Sequence, residues 1–406
     1  MLARPCFRMT TMALAVVVIL LSGCAEQAAS PGLQSTDGTL SFHIDDSTDV
    51  QIPAEWKGDT LILRNAEEEI ALTPLANQSW TVPVFDGLLS LNGDTGSWVD
   101  VLRPGEYRVP VQWVSETQPT PATWPQDTLS WALTFGADNP WLGQLYLQRQ
   151  GDQCKGSIAT ATGDFRYLHG TLNDAGSMVI QTFDGAHLFL FSAELTADGS
   201  LAGGVFKSGN HYATSFVGEP VEAAVSALEE APVAKWTGLP VAYRGLSLTG
   251  DSVLWNAAEA EGRHVLSVMG SWCPNCMDEH RLLAQLLDRH PNLHVHTLAF
   301  ERGLDSEGGT QQALERLTRY RQQMGLHRFD DRWTVVLAGP ASKSEAQQAL
   351  PFLNRVVSFP TTLVVEGASG DAPWIHSGFN GPAMGPAHEL EVARFADALS
   401  GPTESR

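Results

Sequence analysis

From Thr39 to Phe216 the chain is a succession of short apolar and polar runs broken by turn residues. Thr60-Leu61-Ile62-Leu63, Tyr107-Arg108-Val109-Pro110-Val111, Trp131-Ala132-Leu133-Thr134-Phe135 and Leu188-Phe189-Leu190-Phe191 are strand-like. Between them stand Asn92-Gly93-Asp94, Gly151-Asp152, Asn173-Asp174-Ala175-Gly176, Asp184-Gly185 and Asp198-Gly199. Turn signals at this spacing, with no sustained helical period, predict a mostly antiparallel all-β domain over residues 39–218, a sandwich or a barrel. Residues 219–235, EPVEAAVSALEEAPVAK, shift to Ala, Glu and Pro and form the predicted linker.

After Trp236 the period changes. Strands are expected at His264–Met269, Leu293–Phe300, Trp333–Leu337, Thr361–Val365 and Trp374–Ser377. Between and after them, Leu282, Leu283, Leu286 and Leu287 make one apolar helical stripe, and helices are expected at Gln311–Met324, Ser344–Leu353 and His388–Leu399. Strands alternating with helices predict an α/β domain over 236–401, its sheet covered on both faces.

The N-terminus changes the setting. Two arginines and no acid precede an apolar run from Met9 to Leu21, too short to span a bilayer. Residues 1–23 read as a secretory leader, and Leu21-Ser22-Gly23-Cys24 resembles a bacterial lipobox, which makes Cys24 the expected lipidation site. Ala25 after it favours sorting to the outer membrane over the inner, with the protein facing the periplasm. Residues 24–38 are small and polar, a tether whose last thirteen residues reach about 45 Å at full stretch. Loss of the leader moves the formal charge from −21 to −23. Such acidity argues against nucleic acid and against flat adhesion to anionic lipid, so membrane attachment would run through the acyl chains. At 43% hydrophobic and 17% charged, the rest is globular material.

Candidate chemistry centres on Gly270-Ser271-Trp272-Cys273-Pro274-Asn275-Cys276, where a buried strand gives way to a helix. Pro274 suits the first helical turn, which puts Cys273 at the N-cap with its sulfur near the positive end of the helix dipole. That position lowers a thiol pKa and makes the sulfur a better leaving group. Cys276, one turn on, is expected to be more buried and to resolve a mixed disulfide. A zinc site lacks ligands, since only Cys154 remains as a thiol in the folded part. A purely structural disulfide is compatible with the periplasm, though the ring is small. His290, His294 and His296 cluster but read as a solvated strand edge, so no metal is expected. Cys154 reads as an interior apolar residue. No Walker loop, nucleophile elbow or HExxH helix occurs.

Trp272-Cys273-Pro274-Asn275-Cys276, with Glu279 after it and Phe359-Pro360-Thr361-Thr362 heading a later strand, resembles the TlpA/ResA-like thiol–disulfide oxidoreductases of the thioredoxin superfamily. The resemblance implies a thioredoxin-like domain with a central mixed sheet, flanking helices and an inserted β/α segment within Gly303–Gln348. It implies Cys273 and Cys276 as a redox-active disulfide, Pro360 in cis facing the pair, and Trp272, Pro274, Phe359 and Thr361 around the substrate. Ser267 stands where small thioredoxins carry a buried aspartate, and the resemblance points to Glu301 as proton relay, with Glu279 a second polar neighbour. No cofactor is implied. The partners would be a protein disulfide and a thiol donor protein, such as an electron donor in the inner membrane. The alternatives are a binding or metal-chaperone lipoprotein using the fold as a module, and a peroxiredoxin-like peroxidase; for the latter, Gly270 replaces the expected threonine. Residues Thr162–Leu168 and Phe183–His187 look like signatures of the β domain.

Overall fold

The computed structural model describes residues 37–400 apart from 104, 106, 116–122, 125–127 and 223–232. The leader, Cys24, nearly all of the tether and the middle of the linker lie outside the described residues.

The β region forms two sheets, each with its own core. In the first, nine antiparallel strands run from Asp37–Asp45 to Tyr107–Val114, and the first strand pairs with the last. Leu40, Phe42, Val50, Ile52, Leu63, Trp98, Val109 and Val111 fill one face of it. The second sheet, from Thr128–Phe135 to Tyr212–Pro220, closes on itself because Trp141–Gln150 pairs with both Thr128–Phe135 and Gln153–Thr160. The result is a barrel filled by Trp131, Phe135, Leu145, Cys154, Ile158, Phe191, Phe206 and Phe216. Alternation alone carries no signal for where one sheet stops and the next begins; the β region expected over 39–218 holds two buried clusters, the first of which also takes in Phe183, Leu188 and Leu190 of the barrel strands. The last barrel strand also runs through Glu219 and Pro220, which pair with Ala132 and Trp131, so it takes in the start of the expected linker.

The C-terminal region has a seven-stranded mixed sheet in the order Ser252–Asn256, Ala242–Leu246, Trp333–Pro340, His294–Glu301, Arg263–Met269, Thr361–Glu366, Trp374–Ser377. The three central strands are parallel; Thr361–Glu366 runs antiparallel to Arg263–Met269. Helices α1 (Pro274–Arg289), α2 (Gly309–Gln323) and α4 (Pro386–Ser400) cover one face through Leu283, Leu317 and Phe395, and α3 (Lys343–Ala349) covers the other through Ala346. This is a thioredoxin-like fold, with α2, the strand Trp333–Pro340 and α3 between the second strand of the core and the Phe359-Pro360 turn. Two differences from the sequence expectation have local causes. Helix α3 stops at Ala349 because Pro351 bars Leu350 from helical geometry; Leu350 leaves the helical region, at φ −122°, ψ 67°. The hairpin Ala242–Asn256 escaped the pattern because its outer strand is an exposed edge with little alternation, Leu254 standing 75% exposed.

The described residues all fall in one compact unit, so contacts between the β region and the α/β region belong to a single body.

Candidate active site

Cys273 is the N-cap of α1, with extended backbone (φ −107°, ψ 108°) and its sulfur accepting the Cys276 N–H at 3.2 Å. Pro274 fills the first helical position, where a missing N–H costs nothing. Cys273 and Cys276 form a disulfide across one turn; Cys276 is fully buried and Cys273 is 6% exposed. Once reduced, the Cys273 sulfur stands at the positive end of a sixteen-residue helix, which favours the thiolate.

Three backbone features frame the pair. The Phe359–Pro360 peptide is cis, and the Phe359 carbonyl oxygen lies 3.4 Å from the Cys273 sulfur. Trp272 stands edge-on to the Phe359 ring at 5.4 Å and donates its indole N–H to the Phe300 carbonyl at 2.9 Å. That indole crosses over Gly270, where a Cβ would come within 2.2 Å of it, so the position read as a missing threonine has no room for a side chain. Thr361, expected near substrate, is fully buried and donates to the Ser358 carbonyl at 2.8 Å; Pro274 is buried too.

The carboxylates divide their work. Glu301 is fully buried and accepts from the Ser271 N–H and hydroxyl, each at 2.8 Å, with Arg316 at 3.5 Å. Burial raises its pKa, and the Ser271 and Arg316 contacts oppose the rise. Glu301 therefore pins the loop that presents Trp272 and Cys273. Its neighbour Arg302 does not pair with it but reaches Asp100 at 3.4 Å and lies over the Trp272 ring at 4.6 Å.

Glu279 follows Cys276 by three residues on α1, which places both on the same face one turn apart. It is fully buried; Oε1 accepts from Ser267 Oγ at 2.8 Å and Oε2 from Thr362 Oγ1 at 2.6 Å. Burial pushes its pKa up to about 7, against the two hydroxyl donors. Ser267 in turn meets His280 Nε2 at 3.2 Å, and His280 Nδ1 meets the Tyr320 hydroxyl at 2.8 Å. Since Ser267 spends its proton on Glu279, His280 Nε2 donates to Ser267 and Tyr320 donates to Nδ1. Burial holds His280 neutral, its pKa near 3, as that tautomer requires. So the carboxylate missing at Ser267 arrives from α1. The spacing Cys276-x-x-Glu279 was the visible signal for it.

The β region touches the motif itself. Asn275 donates through Nδ2 to Asp164 Oδ1 at 2.8 Å, to the Asp164 carbonyl at 3.0 Å and to the Phe379 carbonyl at 3.2 Å. Asp278 receives Arg166 Nε at 2.8 Å and Nη2 at 3.1 Å, while the same guanidinium meets Glu68 at 2.5 Å. Arg166 is 1% exposed and sits at φ +55°, a left-handed conformation unusual for a non-glycine residue. Met277 belongs to the apolar core of the first β sheet. Elsewhere, His296 is held by Tyr243 at 2.8 Å and His264 at 3.0 Å, so it is an interior residue and not a solvated edge. Cys154 is 1% exposed and free, its thiol pushed up to about 12 by burial.

No family profile and no curated protein matches the sequence. Among solved structures, a secreted Mycobacterium tuberculosis disulfide oxidoreductase homologous to E. coli DsbE is 14% identical over 39% of this chain and 94% of its own, with a TM-score of 0.26. StoA from Bacillus subtilis is 16% identical over 39% and 97%, with a TM-score of 0.25. A putative thiol:disulfide interchange protein DsbE from Chlorobium tepidum is 18% identical over 41% and 98%, with a TM-score of 0.27.

Proposed function

We propose that the chain is an extracytoplasmic thiol–disulfide oxidoreductase, lipid-anchored at Cys24, that reduces or isomerises protein disulfides. The observation that carries it is the Cys273–Cys276 disulfide at the N-terminus of α1, with a buried Glu279 one turn beyond Cys276. In the reducing direction, the Cys273 thiolate attacks one sulfur of the substrate disulfide. The Cys273–substrate bond forms, the substrate S–S bond breaks, and one substrate thiolate leaves. Glu279, ionised, takes the proton of Cys276, whose thiolate attacks the Cys273 sulfur. The mixed disulfide breaks, the Cys273–Cys276 bond forms, and the substrate has gained two electrons. A dithiol donor protein restores the pair by the reverse exchange.

Glu301 acts at one remove in this scheme, holding the Ser271 backbone, while Glu279 carries the proton. Trp272, Phe359 and Pro360 frame the approach to Cys273. The lipobox-like Leu21-Ser22-Gly23-Cys24 supports the anchor, and Ala25 favours the outer membrane.

Insulin reduction by the full chain tests the reading, with Cys273→Ser as control. Turnover abolished by that substitution supports it. Turnover unchanged by it, or absent from reduced wild type on protein and small-molecule disulfides alike, leaves the fold as a binding module. Trapping proteins on Cys273 in a Cys276→Ala variant identifies substrate and direction together.

A further inference from the structure

A dithiol that serves protein disulfides needs an open face around its outer sulfur, and here both flanks of the motif are taken by the β region. On one flank the loop Thr162–Leu168 lies against Asn275 and the Gly378-Phe379 turn. The fit is at backbone contact: a Cβ on Gly163 would come within 2.9 Å of Asn275 Nδ2, and one on Gly378 within 3.0 Å of the Gly163 nitrogen. No polypeptide can pass between them. On the other flank Trp272 and Arg302 face Phe85, Trp98, Asp100 and Ala186 across a cavity of about 10 Å³, room for one water at most. Beneath, Met277 is seated in the first sheet.

The chemistry of the seam is that of a contact made to part. Apolar contacts lie away from the loop, through Met277, Val84 and Met324 at the first sheet and through Met384 against Tyr146 and Ala159 at the barrel; what the loop and the rim send across is polar. Arg166 meets Asp278 and Glu68, Asp164 meets Asn275 and the Gly381 N–H, and Asp100 meets Arg302. At the rim Asp86 meets Arg319 at 2.5 Å, and the Val84 N–H meets Gln323 at 2.9 Å. Acids outnumber bases around the central guanidinium: Glu68, Asp164, Asp184 and Asp278 surround Arg166, with only the half-exposed Arg281 on Asp278 and His187 on Asp184 besides. Interfaces within a chain that are polar in this way open and close, in contrast to apolar ones.

We propose that the Thr162–Leu168 loop is a latch over the dithiol, and that Asp164 and Arg166 are specificity-determining residues: while they grip Asn275 and Asp278, protein disulfides are kept from Cys273, and the latch must release to admit one. This builds on the thiol–disulfide reading above, and it makes the β region a selector of substrates for the site.

The test uses the full chain, reduced with a phosphine and freed of it, with two readouts. One is the rate of Cys273 labelling by iodoacetamide, followed by mass spectrometry; the other is insulin reduction. Arg166→Gln leaves Glu68 without its cation and Asp278 with only the half-exposed Arg281, and drives both carboxylates toward water. It is expected to raise both rates about tenfold, as a tenfold rise in the open population would. The double variant Arg319→Ala/Gln323→Ala changes two exposed side chains and loosens only the rim, and is expected to raise labelling about threefold. Melting curves report whether Arg166→Gln folds; if it does not, the rim variant alone decides. Labelling of wild type as fast as that of the folded variants overturns the latch, even where insulin is reduced. Labelling that rises in the variants while no variant reduces insulin upholds the latch and overturns the disulfide chemistry instead.

Discussion

Ser267, in the middle of the central strand, donates its hydroxyl proton to Oε1 of Glu279 on α1 at 2.8 Å. The strand supplies only a hydroxyl, and the helix that carries the cysteines also carries the base. Both cysteines and the buried carboxylate thus sit on one helix, at one-turn intervals.

Glu279→Gln should slow resolution of the mixed disulfide by about a hundredfold, the range for loss of a positioned general base, while leaving the first attack by Cys273 close to wild type. In wild type the resolution rate should rise with pH and level off above about 7, where Glu279 is ionised. In the variant that step should vanish. Single-turnover quench experiments with a chromogenic disulfide separate the two phases; a pH step that survives in the variant would count against Glu279.

The same residue makes a stability prediction. Its folded pKa of about 7 lies above the ordinary 4.5, so the folded chain keeps a proton that the unfolded chain has released. Stability contributed by this group is therefore present below pH 4.5 and lost as pH rises to about 7, after which the difference is constant. At 1.36 kcal/mol per pKa unit the loss has a ceiling of about 3 kcal/mol. Urea titrations of wild type and Glu279→Gln from pH 4 to 8 should diverge over this window in favour of the variant; parallel curves would mean that Glu279 is not held protonated by burial.

Glu301→Gln should behave differently. It weakens the clamp on Ser271 and leaves Arg316 without its carboxylate, costing about 2 kcal/mol of stability. The pH step of the resolution phase should stay where it is in wild type. A step displaced by Glu301→Gln would return Glu301 to the proton path.

What the sequence disclosed and what it withheld follow from range. The strand–turn–helix around Gly270–Cys276 was legible because each cue is local: a buried run, a proline at the first helical position, a cysteine at the cap. The Ser267–Glu279 bond spans twelve positions and depends on how α1 lies on its strand, so Glu279 read as a second polar neighbour of the pair and not as the partner of Ser267. Arg166 and Asp278 are 112 positions apart, on regions of different texture, and no period connects them. The stop of α3 was legible in Pro351, a local cue that the expected helix Ser344–Leu353 runs past.

Cys154 should remain unlabelled by iodoacetamide at pH 8 in the native chain and react fully in guanidinium, since its thiol is buried and pushed up to about 12. Cys154→Ala should cost about 1 kcal/mol through the small cavity it leaves and should alter insulin reduction less than twofold. A larger loss of turnover would place this thiol in the redox cycle.

The closure of the barrel bears on how the chain is made. Its last strand, Tyr212–Pro220, hydrogen-bonds back to Thr128–Phe135, so every strand that encloses Cys154 precedes Trp236. A chain that emerges N-terminus first can complete this barrel before either cysteine of the reactive pair has appeared. The order of the regions then works against mispairing: when Cys273 and Cys276 emerge, Cys154 is already walled in and out of their reach.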